Sequence, residues 1–248
     1  SPEMSPEMSP EMSPEMSPEM SPRSPPMTED LQHQRDRVIE ASLAHVPFDG
    51  WSWKALEAGA LDTGADAILA KRLFARGLGE AAEHFADWAD RRMLAELEKM
   101  NLGEMRIRDR IHACVKTRIE LNVPYKEALR HLLSFLALPH NLPLTSRMTL
   151  HSCSLMWYAA GDRSADWNHY TKRGLLVPVY SSTVLYWLSD DGNEDGDFPE
   201  TWGYLERRID DVLKTFGLPK RLKERLGGLP RPFRPFRHSS SPFSSTNR

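Results

Sequence analysis

From Thr28 onward apolar residues recur every three and four positions, with Ala, Leu, Glu and Arg dominant and no sustained alternation at period two. The pattern predicts helices near 29–45, 52–61, 65–75, 78–101, 106–122, 125–138, 142–160, 164–189 and 198–216, and hence an all-α helical bundle. The breaks have local causes. Pro47 and Gly50 end the first helix, Gly64 and Gly77 punctuate the short ones, and "NVP" and "LPHNLP" stop the middle pair. "DDGNEDGDFP" separates the last two helices with acids and glycines that favour turns. In the eighth, Ser164 is placed to cap the N-terminus, Asp166 sits in the first turn beside the positive end of the dipole, and Pro178 is expected to bend the helix and open space.

The first 26 residues break the pattern. "SPEM" occurs five times and "SPRSPP" follows. A proline at every fourth position with no aliphatic core former implies an extended, solvated tail outside the fold, with Met27 opening the folded protein. The expected organisation is a tail over 1–26, helix-turn-helix-like helices over 27–77, a larger helical domain over 78–217 and a basic tail over 218–248. The first 26 residues carry net charge −4, five Glu against Arg23, so of the chain's −3 the remainder holds +1. A nearly neutral folded part gives no global argument for nucleic acid or for a cation store. Cys114 and Cys153 have no CxxC or Cys/His spacing, which argues against a disulfide framework or structural zinc.

The longest apolar run, Gly174 to Leu188, spans about 22 Å as a helix against a hydrocarbon core of roughly 30 Å. It is read as buried or ligand-facing. The N-terminus has neither the apolar stretch of a secretory signal nor the Arg-rich, acid-poor character of a presequence. The expected place is a bacterial cytoplasm, peripheral to the inner membrane, or the matrix side of the mitochondrial inner membrane if the source is eukaryotic.

Candidate chemistry is sparse. Asp109 with His112 and Asp166 with His169 form D-x-x-H pairs, but a di-iron bundle needs E-x-x-H motifs, and none occurs. GxSxG, GxGxxG and Walker loops are absent too, so no catalytic residue, cofactor or metal is expected. The segment "ADAILAKRLFARG" stands where a recognition helix would. Ala65, Ala67, Ile68, Leu69, Ala70 and Leu73 crowd the face that DNA contact needs polar, so nucleic acid is not an expected partner.

The helices over 142–160 and 164–189 carry more. Met148, Leu155, Met156 and Trp157 on one, and Leu176, Val179, Tyr180 and Val184 on the other, are the candidate walls of a lipid cavity beside Pro178. Burying one isoprene unit there contributes up to about 4 kcal/mol at roughly 0.8 per CH₂. Asp166, His169, Tyr170 and Arg173 fall at spacings of three and four and form a polar-aromatic face, the candidate partner surface. Lys220, Arg221, Lys223 and Arg225, with Phe233 and Phe236 beyond them, form a basic, ring-bearing tail suited to an anionic membrane, at about 1 kcal/mol per cation near the surface.

"GDRSADWNHYTKR", with "LMWYAAG" before it and "DFPETWGYLERRIDDV" after it, resembles the ubiquinone (coenzyme Q) biosynthesis accessory proteins, whose fold is that of the TetR regulators. The similarity covers Asp30 to Gly217. It implies a non-catalytic, usually dimeric protein that binds isoprenoid quinone intermediates and supports the membrane-bound di-iron hydroxylase acting on demethoxyubiquinone. In that family an Asp and a Trp-Tyr pair meet the hydroxylase. The Asp falls on Asp166 and the Tyr on Tyr170, while the Trp position is His169, with Trp167 on a neighbouring face. The basic tail stands where eukaryotic relatives carry an amphipathic membrane helix. The rival reading is a TetR-type ligand-responsive repressor, which would bind duplex DNA with a steep salt dependence.

Overall fold

The computed structural model describes residues 27–161 and 167–216. Among the described residues ten α-helices follow one another: α1 (Met27–Ser42), α2 (Val46–Asp49), α3 (Trp53–Asp62), α4 (Ile68–Leu73), α5 (Leu78–Glu98), α6 (Ile107–Glu120), α7 (Lys126–Leu136), α8 (Leu142–Ala159), α9 (Trp167–Ser189) and α10 (Pro199–Phe216). There is no strand among the described residues. The all-α bundle expected from the periodicity is the fold.

Two boundaries depart from the sequence pattern for local reasons. The first predicted helix ends at Ser42, and Val46–Asp49 forms a separate turn of helix with Pro47 in its opening positions, where a missing N–H costs nothing. The third starts at Ile68 because the Asp66 carboxylate accepts from the Ile68 N–H at 3.2 Å, a local bond that competes with helix. Helix α9 runs without interruption through Pro178.

The centre of the bundle is α5. Ala81, Ala82 and Ala89 on its buried faces let α1, α6 and α8 approach closely, and Phe85, Trp88, Met93 and Leu97 fill the space between. In the N-terminal unit Gly59 of α3 packs tightly against Ser42 of α1. A Cβ at Gly59 would lie 2.7 Å from the Ser42 Cα.

At the far end α9 and α10 form a pair, and α10 also packs on α6. Their connection is held by Asp190, whose Oδ2 accepts from the Thr201 N–H at 3.2 Å and the Thr201 hydroxyl at 2.7 Å. These bonds satisfy the start of α10. Gly192 has φ +76°, and a Cβ there would meet the Asp197 carbonyl at 2.9 Å, so this turn requires glycine.

Candidate functional site

A cavity of about 300 Å³ lies among α5, α6, α7, α8 and α9. Helix α7 supplies an apolar wall because Leu129, Leu132, Leu133 and Leu136 recur at three, four and seven positions and share one face. Helix α8 supplies Thr145, Met148, Thr149 and Ser152 at the same spacing, and α9 supplies Tyr180, Val184 and Trp187. Leu142 and Leu185 line the cavity yet are 51% and 63% exposed, so they mark its mouth.

The lining also holds a buried charge pair. Arg118 of α6, at the wall, donates from Nε to Asp90 Oδ1 of α5 at 2.9 Å, and Ser152 donates from Oγ to Asp90 Oδ2, also at 2.9 Å. Burial opposes the Arg118 charge, whereas the Tyr180 oxygen and the Asp90 carboxylate favour it; its pKa lies above the ordinary arginine value. Burial pushes the Tyr180 phenol upward against the pull of Arg118, so it is protonated at neutral pH. Cys114 and Cys153 are both buried, and burial pushes each thiol up to about 12, so neither is a nucleophile.

Of the residues singled out from sequence as lipid walls, Met148, Tyr180 and Val184 line this cavity. Met156, Trp157, Leu176 and Val179 instead belong to the packed core, and Leu155 is half-buried against it. The Trp157 indole N–H donates to the Lys172 carbonyl at 2.9 Å, so this ring ties α8 to α9. The α7 leucine stripe, Arg118 and Asn122 were not singled out from sequence. The three-four spacing of the leucines was a legible signal, and the paired charge across two helices was not.

Of the polar-aromatic face, Asp166 lies outside the described residues, and His169 and Tyr170 fall in the first turns of α9. Arg173, half-buried, has an Nε without a partner among the described residues. Lys220, Arg221, Lys223, Arg225, Phe233 and Phe236 lie outside the described residues, as does Ser164. No helix among the described residues is long and apolar enough to cross a membrane. Nor does any group of three or more His, Cys, Asp or Glu among them come together as a metal site.

In the N-terminal unit the cations are largely engaged within the chain. Lys71 pairs with Glu57 at 3.2 Å and stands over the Trp53 ring, and Arg76 pairs with Glu80 and Glu83. Ala70 and Leu73 of α4 are buried.

The family model described as COQ9 matches residues 142–215, which span the α8 and α9 sides of the cavity and α10. The human "Ubiquinone biosynthesis protein COQ9, mitochondrial" is 34% identical over 202 residues, covering 79% of this chain and 61% of that protein. The Bos taurus protein of the same name is 33% identical with the same coverage, and the "Probable ubiquinone biosynthesis protein coq9, mitochondrial" of Dictyostelium discoideum is 26% identical over 77% of this chain. This chain thus spans about three fifths of the length of the relatives it matches. Among solved structures, a TetR transcriptional regulator from Nitrosomonas europaea superposes with a TM-score of 0.58 at 19% identity, covering 73% of this chain and 98% of the regulator, a likeness of fold.

Proposed function

The chain belongs to the COQ9 family of ubiquinone biosynthesis proteins, and on that premise we propose that it is a non-catalytic lipid-binding accessory protein that holds isoprenoid quinone intermediates and presents them to the demethoxyubiquinone hydroxylase. The observation that carries this reading is the cavity itself. Four leucines of α7, Met148 and Val184 offer an apolar lining of about the size expected for a small-ligand site, and the mouth is apolar as well. An isoprenoid chain needs no more specific chemistry than burial, at roughly 0.8 kcal/mol per CH₂.

The rest of the reading assigns surfaces. The face carrying Asp166, His169, Tyr170 and Arg173 docks the di-iron hydroxylase, and the basic segment with Lys220, Arg221, Lys223, Arg225, Phe233 and Phe236 attaches to an anionic membrane. The protein then works as a homodimer, peripheral to the membrane that carries the hydroxylase, with no nucleic-acid partner. Engagement of Lys71 and Arg76 in ion pairs within the chain supports the last point.

Mass spectrometry of organic extracts from protein purified without detergent tests the proposal. Isoprenoid quinones or their precursors above the level carried by an unrelated control protein are the expected result. Clean extracts, both before and after incubation with membranes, would overturn it.

A further inference from the structure

Two polar atoms on residues that line the cavity are left unsatisfied by the protein. Asn122 Oδ1 and Trp187 Nε1 are buried without a hydrogen-bond partner among the described residues, and their side chains belong to residues only 3% and 1% exposed. Unpaired buried polar atoms are rare because each forfeits its bond to water. The Asn122 amide has no easy way out. Its Nδ2 donates to the Arg118 carbonyl at 3.0 Å, so turning it over would set oxygen against oxygen. Asn122 therefore contributes an unused acceptor and Trp187, whose indole N–H can only donate, an unused donor.

The charge among the lining residues narrows the ligand. Arg118 is already matched by Asp90 at 2.9 Å, with side chains 6% and 2% exposed, and Ser152 occupies the second carboxylate oxygen. The wall thus presents no uncompensated cation, and a carboxylate or phosphate brought against it would be buried without a counter-charge. Size narrows it further. A volume of about 300 Å³ holds roughly ten water-sized groups. That accommodates a substituted ring, with the tail leaving past Leu142 and Leu185 at the mouth.

We propose that the inner wall is a head-group subsite for a neutral, oxygen-substituted aromatic ring, with Asn122 Oδ1 accepting from a ring hydroxyl and Trp187 Nε1 donating to a ring oxygen. This rests on the lipid-binding reading above and adds which end of the ligand lies inside. It also makes the site selective against fatty acids and phospholipid head groups of the same tail length.

Calorimetric titration of the full chain with three probes sharing a farnesyl tail tests it: a farnesyl-substituted methoxyphenol, the hydrocarbon farnesene and the carboxylate farnesoic acid. The phenol is expected to bind about tenfold more tightly than the hydrocarbon, equivalent to about 1.4 kcal/mol, and the acid no more tightly than the hydrocarbon. Trp187→Phe, which keeps a ring but removes the N–H, should erase most of the phenol's advantage over the hydrocarbon. Asn122→Leu should do the same. If the loss of its bond to Arg118 unfolds that variant, Trp187→Phe still decides the matter. Equal binding of phenol and hydrocarbon, tightest binding of the acid, or an advantage that survives Trp187→Phe overturns the subsite and leaves lipid binding standing. Binding of none of the three probes overturns lipid binding and the subsite together.

Discussion

Asp90 and Arg118 join α5 to α6 through a 2.9 Å ion pair inside the bundle, and the same guanidinium forms part of the cavity wall. Removing one member leaves the other charge buried and alone. Asp90→Ala is therefore expected to cost about 3–5 kcal/mol, read as a lowered urea midpoint. The double change Asp90→Leu with Arg118→Met should recover most of that loss. A single variant as stable as the parent would show that water reaches the remaining charge.

The contact between Gly59 and Ser42 gives a prediction about the N-terminal unit. A Cβ at position 59 would lie 2.1 Å from the Ser42 hydroxyl, 2.6 Å from its backbone nitrogen and 2.7 Å from its Cα. Because two of those atoms are backbone, side-chain rotation cannot relieve the clash. Gly59→Ala should destabilise by about 3 kcal/mol, the upper end for overpacking, and Ser42→Gly should fail to rescue it. Thermal unfolding of the single and double variants checks both halves.

His112 predicts how stability responds to acid. It sits in α6 beside a small cavity of about 70 Å³ formed with Arg108, Asp109, Glu206 and Ile209, and its Nε2 is buried without a partner among the described residues. Burial depresses its pKa below the ordinary 6.5, against the opposing influence of the Trp202 backbone and Glu206, while Lys116 adds to the depression. The unfolded chain then binds a proton that the folded chain refuses, so stability falls as pH drops through and below about 6.5. His112→Gln should flatten that part of the pH profile of the urea midpoint. An unaltered slope would place the acid sensitivity elsewhere, with His84 next in line, since burial lowers its pKa too despite the Asp36 carboxylate at 2.7 Å.

Much of the fold was legible in the sequence because helix ends are local events. Prolines, glycines and an Asp-rich turn act where they stand, and the long helices from α5 to α10 fall within a few residues of the periodic pattern. The cavity was less legible, for a reason that α8 makes plain. Its most apolar stripe, Cys153, Met156, Trp157 and Ala160, turns to the packed core, and the mixed stripe of Thr145, Met148, Thr149 and Ser152 faces the cavity. Reading cavity walls from apolarity favours the core-facing stripe, because a packed core excludes polar atoms more strictly than a cavity wall does. The charge pair behind that wall joins positions 90 and 118, and only the packing of α5 on α6 brings them together.

The partner face yields the last prediction. Helix α9 begins at Trp167, so His169, Tyr170 and Arg173 occupy its opening turns at three- and four-residue spacing, just after Asp166 in sequence. The cavity residues Tyr180, Ser181, Val184, Leu185 and Trp187 lie further along the same helix. One helix therefore carries both the proposed docking residues and a wall of the proposed lipid site, which would let hydroxylase and lipid meet at a fixed separation. Changing Asp166 and Tyr170 together to Ala should weaken association with the hydroxylase at least tenfold, the loss of two interface contacts of about 1 kcal/mol or more each. The uptake of isoprenoid lipid should stay as in the parent, because the cavity-lining residues lie elsewhere on the helix. A pull-down or calorimetric titration with the hydroxylase reads the first effect. Unchanged association would remove the docking role from this face, and a matching loss of lipid uptake would show that the two changes act through the fold.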